Sequence, residues 1–216
     1  SYLTDKGYEQ ALKSGKALSS INFDQIYSSP LKRAAETAKT IQKNLKGENN
    51  IEYDKNLLEV DLSKWSGLTF NEIKNKYPEN YLLWKNDPEN LKLESKNNFK
   101  YQPIQELYDQ ANEFIKNIFE IYLGKNEANI LVIGHNAILR CLILSLIGRP
   151  KKGFRKIKLD NASFSIINIS RQGDSHKTQV ECLNQTSHLD KIPDQIGDSR
   201  IFLVRHGETN WNKEGR

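Results

Sequence analysis

The stretch that decides the fold lies near the C-terminal end of the chain and reads Ile201-Phe202-Leu203-Val204-Arg205-His206-Gly207-Glu208-Thr209-Asn210-Trp211-Asn212. Its apolar run, 201–204, is too short for a helix and predicts a strand that is buried on both faces. Arg205, His206 and Gly207 follow directly, at the end of a strand, where parallel sheets bind ligands. An arginine fork suits phosphate oxygens, and a neutral imidazole can attack phosphorus. The pattern therefore indicates a site that handles phosphate.

The same residues resemble the signature of the histidine phosphatase superfamily, the phosphoglycerate mutase-like proteins. The resemblance implies that His206 accepts the phosphoryl group, that Arg205 binds it and that Asn212 lies near it. It also implies a three-layer α/β fold, with a mainly parallel central sheet flanked by helices and a small helical cap. The family needs no metal, and the resemblance implies no cofactor.

A second segment, Ser28-Ser29-Pro30-Leu31-Lys32-Arg33-Ala34-Ala35-Glu36-Thr37, follows a predicted short strand. Ser29 can cap a helix, and Pro30 suits its first turn. Arg33 then lies near the positive end of the helix dipole, a placement that makes sense if an anion binds there. The segment is similar to a family motif in which this arginine binds phosphate.

A third segment, Leu57-Leu58-Glu59-Val60-Asp61-Leu62-Ser63-Lys64-Trp65-Ser66-Gly67, resembles the family stretch that carries the proton donor. The resemblance implies that Glu59 is the catalytic acid. Ser63 stands where the family usually has glycine, and Ser66 where it usually has glutamate. We therefore expect the loop to be shaped differently from that of its relatives.

A second buried strand, 129–134, ends at His135. In the family, the corresponding histidine contacts the phosphoryl group, which makes His135 both a catalytic and a phosphate-binding candidate. Asn136 replaces the commoner glycine. One branch of the superfamily has an aspartate there as proton donor, and since an amide cannot donate an acid proton, that role falls to Glu59.

The order of these segments is rotated, because the family motif at 203–212 normally opens the domain. We expect either a circular permutant or a fragment of a tandem two-domain protein, like the two-domain members of photosynthetic organisms described as phosphoglycerate mutases or carboxyarabinitol-phosphate phosphatases. Residues 1–186 then form a phosphatase domain without its own first strand, 187–199 a linker, and 200–216 a segment that completes a phosphatase domain. The strands 130–134 and 201–205 should be parallel neighbours, within one chain or in a strand-swapped dimer.

The remaining pattern predicts helices at 5–19, 69–77, 78–88, 103–122 and 137–146, an antiparallel hairpin of 162–170 with 178–184, and an irregular segment at 89–102. Thr69 and Glu72 have the spacing of a capping box. Trp84 is expected to pack within the cap, and His176 and His188 are expected to be bystanders.

The composition limits the kinds of partner that the chain is expected to bind. At 216 residues, 37% hydrophobic and 27% charged, it is globular, with no apolar run that could span a bilayer. The net charge of +5 comes from scattered lysines, which form no basic stripe for nucleic acid. Cys141 and Cys182 read as free thiols of a reducing compartment, the cytoplasm or a plastid stroma. No metal-binding spacing is present.

Three functions remain open on the sequence. The leading one is a phosphomonoesterase that acts on a small phosphorylated metabolite, a sugar phosphate or phosphoglycerate, through a phosphohistidine. A phosphoglycerate mutase is the alternative within enzymes, but no long closing insertion is present. A catalytically inactive module that binds a phosphorylated ligand is the third, and the retained His206, Arg205 and Glu59 argue against it.

Overall fold

The computed structural model describes residues 2–47, 50–95, 97–123, 127–148, 152–173 and 175–190. The predicted strand 201–205 lies outside these residues, together with Arg205, His206 and Asn212. Most of the predicted linker 187–199 and the whole of the segment 200–216 lie outside them as well.

The described residues form helices and strands that alternate along much of the chain. The helices are α1 (Asp5–Ala17), α2 (Lys32–Gln42), α3 (Phe70–Lys76), α4 (Pro78–Asn86), α5 (Pro103–Tyr122) and α6 (Asn136–Leu146). The strands are β1 (Gln25–Ser28), β2 (Ile51–Tyr53), β3 (Leu93–Glu94), β4 (Lys100–Tyr101), β5 (Ile130–Ile133), β6 (Phe164–Gln172) and β7 (Ser175–Gln185). The predicted helices are all present, and α4 and α5 each begin at a proline, which suits a first helical turn.

The central sheet is parallel, as predicted. Its order is β2-β1-β5, and Ile26 of β1 lies opposite Ile51 on one side and Leu131 on the other. Parallel neighbours need long crossover connections, which here contain helices. Among the described strands β5 pairs only with β1.

Helices cover both faces of this sheet, because successive strand residues point to opposite sides. Ile26 packs in a cluster with Ala34 and Ala38 of α2. Tyr27, the next residue, packs with α5 and α6, and its ring meets Phe114 edge-on at 5.5 Å. The expected three-layer α/β architecture is therefore confirmed.

A close approach of α1 to α2 depends on Gly15. A Cβ atom at this position would lie 3.1 Å from the backbone of Ile41. The absence of a side chain therefore lets the two helices on this face pack tightly.

The cap consists of α3, α4 and a small hairpin. Thr69 and Glu72 form the predicted capping box at the start of α3. Trp84 packs edge-on against Trp65 at 6.3 Å, as expected for a residue of the cap. The segment 89–102, expected to be irregular, instead contains the antiparallel pair β3–β4; two-residue strands are too short to show an alternating pattern.

The predicted C-terminal hairpin is confirmed as β6–β7, which pair antiparallel from Phe164 opposite Gln185 to Gln172 opposite Ser175. Beyond it, Ser187–Leu189 forms a 3-10 turn against α1, where the His188 Nε2 lies 3.1 Å from the Ser14 Oγ. His188 thus has a packing contact far from the predicted site residues, whereas His176 lies exposed on β7.

Three further observations concern the described residues. Cys141 is buried and Cys182 half-buried, and neither forms a disulfide. None of the described helices combines the length and apolar character that a bilayer crossing needs. Among the residues that the structure describes, no group of three or more His, Cys, Asp or Glu side chains could hold a metal ion.

The packing of α6 gives a stability prediction. Ile138 is fully buried, and Ile138→Ala should lower the free energy of unfolding by about 2–5 kcal/mol, because it removes buried methyl groups and leaves a cavity. Ile121→Ala is the matched control, since Ile121 is 51% exposed and its truncation should change stability by less than about 0.5 kcal/mol. Urea unfolding measures both; similar losses would contradict the assigned core.

Candidate active site

Two strand ends bring the first site residues together. The hydrogen bonds between β1 and β5 continue one residue past the end of β1, where the Ser29 N–H donates to the carbonyl of Ile133 at 2.9 Å. The residues that follow, Ser29 on one side and His135 on the other, therefore meet at the carboxyl edge of the sheet. This is the edge at which parallel sheets bind their ligands.

His135 is held by two side chains. Arg33 donates from Nε to Nδ1 of the imidazole at 3.1 Å, and Nε2 lies 2.8 Å from the Ser29 Oγ. An arginine N–H can only donate, so Nδ1 must carry the lone pair and Nε2 the proton. The Nε2–H therefore donates to Ser29, and the ring is fixed in one tautomer.

The environment keeps His135 neutral. Burial, reinforced by the adjacent charge of Arg33, lowers the pKa of His135 from 6.5 to about 4. The side chain is only 7% exposed. At neutral pH, and with no anion bound, His135 is thus a hydrogen-bond donor rather than a cation.

Glu59 lies at the start of the helix that follows His135. Its Oε1 accepts N–H bonds from Val60 at 3.0 Å, Ala137 at 3.1 Å and Ile138 at 3.3 Å, while Oε2 shares the Ala137 N–H at 3.3 Å. Free N–H groups at a helix N-terminus favour an anion. The carboxylate therefore occupies the anion-binding end of α6, the helix whose N-cap residue is His135.

The loop that carries Glu59 is fixed by α5. Gln110 donates from Nε2 to the carbonyls of Asn56 at 3.0 Å and Leu58 at 2.9 Å. Leu57 between them is fully buried. Gln110 thus positions Glu59 through the backbone of its loop.

The comparisons with known proteins fit this geometry. The model of the histidine phosphatase superfamily (branch 1) matches residues 1–184. The chain belongs to this superfamily. The match spans nearly all the described residues, so the resemblance seen in the motifs extends to the domain as a whole.

Relatives of this histidine phosphatase include several phosphatases. It is 31% identical to a probable 2-carboxy-D-arabinitol-1-phosphatase of Arabidopsis thaliana, over 97% of this chain and 42% of that protein. It is 28% identical to phosphoserine phosphatase 1 of Hydrogenobacter thermophilus, over 87% and 82% of the two chains. The chain thus spans about two fifths of the length of the plant relative.

A solved structure supports the fold. The crystal structure of a putative alpha-ribazole-5'-P phosphatase from Escherichia coli superposes with a TM-score of 0.67 at 26% identity, covering 85% of this chain and 84% of the other. The phosphoglycerate mutase-like fold expected of this histidine phosphatase is therefore confirmed.

The structure brings three predicted site residues together: Arg33, His135 and Glu59. The other three, Arg205, His206 and Asn212, lie outside the described residues, so their predicted roles stay predictions. Arg33 lies in the first turn of α2, as expected.

Ser29 proves to be a partner of the site rather than a helix cap, which is a correction to its expected role. The helix begins only at Lys32, its N-cap Leu31 has no side-chain cap, and the Ser29 Oγ accepts the Leu31 N–H at 3.3 Å. Sequence reasoning gave Ser29 only a local role because its contact with His135 joins residues 106 positions apart. The signal available in the sequence was that Ser29 is a polar residue directly after a buried strand.

Ser63, in the loop after Glu59, has a backbone conformation that glycine favours, whereas the expected difference in loop shape from the relatives stays a prediction. Ser63 has φ of 46°, in the left-handed region that glycine favours. The Asp61 Oδ1 accepts the Ser63 N–H at 2.7 Å, which helps to hold this conformation. Asn136 has a structural contact of its own, because its side-chain amide donates to the carbonyl of Leu159 at 2.9 Å.

The lowered pKa of His135 gives a prediction on stability. Between pH 6.5 and about 4 the unfolded chain binds more protons at this residue than the folded chain, so stability should fall as pH falls through that window. His135→Gln removes this contribution while keeping one donor and one acceptor. Solvent screening weakens this effect, so the Tm of the wild type should fall by about 2–4 °C more than that of the variant across this pH range.

Thermal unfolding followed by circular dichroism at a series of pH values measures this difference. His176→Gln is the matched control, because it removes an exposed histidine and should leave the pH profile of the wild type unchanged. Parallel profiles for the wild type and His135→Gln would contradict the burial of a neutral imidazole.

Proposed function

We propose that this histidine phosphatase is a phosphomonoesterase that hydrolyses a small phosphorylated metabolite through a phosphohistidine. The observation that carries the proposal is the convergence of Arg33, His135 and Glu59 at the carboxyl edge of the sheet. A guanidinium and an N–H donor for the phosphoryl oxygens, with a carboxyl group for the leaving oxygen, are the groups that phosphoryl transfer from an alcohol needs.

In the first step, neutral His206 attacks phosphorus, forming the N–P bond as the bond from phosphorus to the leaving oxygen breaks. Arg205, Arg33 and the Nε2–H of His135 stabilise the charge on the phosphoryl oxygens, with Asn212 nearby. The negative charge of a bound phosphate would also favour protonation of His135, because an adjacent opposite charge stabilises the imidazolium.

Glu59, in its carboxylic acid form, donates a proton to the leaving oxygen and becomes the carboxylate. In the second step, its carboxylate takes a proton from water, which attacks phosphorus, releases phosphate and restores His206. Oε2 has a single long hydrogen bond, whereas Oε1 accepts three, so Oε2 is the oxygen from which this proton can move.

The strand 201–205 is proposed to lie beside β5 and to carry His206 to His135. Two observations support this: β5 pairs only with β1 among the described strands, and the apolar residues Ile130, Leu131 and Val132 are only half-buried. The strand could come from the same chain or from a neighbouring copy, which would make a strand-swapped dimer.

The names of the relatives support the substrate class, since one is described as acting on a sugar-acid phosphate and another on phosphoserine. The single alignment of 97% of this chain with 42% of the plant protein supports a tandem origin for the rotated order. Hydrolysis is favoured over mutase activity because the sequence has no long closing insertion that would exclude water. The free cysteines support a reducing compartment, the cytoplasm or a plastid stroma.

His206 gives the most direct test. Brief reaction of the intact protein with substrate labelled on its phosphate should leave an acid-labile phosphohistidine, which is absent in His206→Ala. His188→Ala is the control and should keep the label. Labelling that persists in His206→Ala would refute the assigned nucleophile.

The contribution of Glu59 to kcat/KM should be larger for a leaving group that needs protonation. Glu59→Gln should lower kcat/KM by about 10²–10⁴-fold on alkyl phosphates but far less on aryl phosphates, whose good leaving group needs little protonation. Steady-state assays with glycerol phosphate and p-nitrophenyl phosphate compare the two. Equal losses on both substrates would assign the proton to another acid.

A further inference from the structure

The cap has a hydrophobic core of its own. Trp65, Ile73, Leu91 and Leu93 form a buried cluster that is separate from the main core. Of the described hydrophobic side chains, only Trp84 of α4 packs against both clusters. In addition, α4 has no buried residue, and Ile73 is the one buried residue of α3. A region with so little burial can open at a lower free energy than the rest of a fold.

The two chain connections of the cap are joined to each other. The chain enters the cap after Val60, which packs against the main core, and leaves it before Pro103, the first residue of α5. Between these points, the Tyr101 hydroxyl donates to the Asp61 carbonyl at 2.9 Å. An insertion whose two connections lie side by side can rotate about them as one body, with these few residues acting as the hinge.

Glu59 lies on the body side of this hinge. Its carboxylate accepts N–H groups of α6, and Gln110 of α5 holds the preceding carbonyl, that of Leu58, at 2.9 Å. Trp65, a few residues further along the chain, already belongs to the core of the cap. Movement of the cap would therefore leave the carboxylate of Glu59 in place on α6.

Arg155 of the body closes the C-terminal end of α4. Its guanidinium donates to the carbonyl of Trp84, which has no partner within the helix because the residue four positions later is Pro88, without an N–H. The Arg155 Cζ also lies 4.9 Å from the centroid of the Trp84 ring. One exposed arginine thus holds both the backbone and the ring of the residue that joins the two cores.

Two further contacts join the same segment of the body to the cap. The Phe154 N–H donates to the Glu89 Oε1 at 3.2 Å, and the Lys152 Nζ lies 3.6 Å from the Asp87 Oδ2. Phe154 is 1% exposed and belongs to the main core, so this segment is fixed to the body. All these contacts fall on the end of α4 and on the turn that follows it.

We propose that the cap, residues 61–95 and 97–101, is a lid that opens as one body about its two joined connections, and that residues 152–155 are the clasp that keeps it closed. Arg155 is the main residue of the clasp. Opening breaks its contacts with Trp84, whereas the bond from Tyr101 to Asp61 and the core of the cap stay intact. The lid would open whether or not the protein hydrolyses a phosphate ester, so its test does not depend on the proposed function.

Hydrogen exchange of the intact wild-type protein, followed by mass spectrometry at low concentrations of urea, tests whether the cap opens as one body. Peptides from α3 and α4 should share one opening free energy, which is lower than that of peptides from α5 and α6. Different opening free energies for α3 and α4, or opening only together with α5 and α6, would overturn the proposal.

Arg155→Gln tests the clasp. The variant should raise the exchange rate of α4 by about 5- to 30-fold, as expected for loss of an exposed charged hydrogen bond and a cation–π contact. The contacts of Arg155 with the cap are to α4, yet α3 should exchange faster by the same factor, because the two helices open together. The exchange rates of α5 and α6 should not change.

Two matched variants make this result specific. Arg155→Lys should keep part of the protection, because it retains the charge over Trp84 but loses the fork. Arg171→Gln removes an exposed arginine whose Nε donates to the Gly173 carbonyl in the hairpin, and it should leave exchange in the cap unchanged.

Four results with these variants would contradict the clasp. Faster exchange confined to α4 would mean fraying of that helix, and an equal increase in α5 and α6 would mean a general loss of stability. Unchanged exchange in Arg155→Gln, or the same increase in Arg171→Gln, would show that Arg155 does not hold the cap closed. Each of these results overturns the proposal.

Discussion

The pairing of β1 with β5 is the contact on which the site depends. It places Ser29 and His135 side by side, although they are 106 positions apart in the sequence. Arg33 then reaches the imidazole from the first turn of the helix that follows β1, and Glu59 reaches the start of the helix that follows β5. A shift in this register would separate all four groups together, since each is attached directly or through one hydrogen bond to the two strand ends.

Arg33 and His135 also explain how a positive site avoids excess charge when it is empty. Burial, with the charge of the neighbouring guanidinium, lowers the pKa of the imidazole and keeps it neutral, and Glu59 occupies the helix N-terminus that could otherwise hold phosphate. Among the described residues, the site therefore already contains contacts of its own, from Arg33 to His135, from His135 to Ser29 and from α6 to Glu59. A phosphorylated ligand must replace some of these contacts, so its affinity reflects the difference between them and its own interactions.

Much of this could be predicted from the sequence, because the deciding signals were local. The proline at the start of α5, the capping box of Thr69 and Glu72 and the apolar run of β5 each specify their own element. Arg33, His135 and Glu59 were found through motifs of a few residues each. Ser29 and Gln110 were assigned no role in the site, because their contacts join distant parts of the chain and leave no periodic pattern.

The separation between the two paired strands has a consequence for how the protein folds. Every helix of the cap, together with α2 and α5, must be accommodated in the connection between β1 and β5, so this pairing closes a long loop at a high entropic cost. Contacts of such high sequence separation are made slowly. The cap, by contrast, is built from near neighbours, and Trp65 contacts both Tyr77 and Trp84. During refolding, tryptophan burial in the cap should therefore precede the formation of the site, and on a ribosome the site cannot assemble until α6 has emerged.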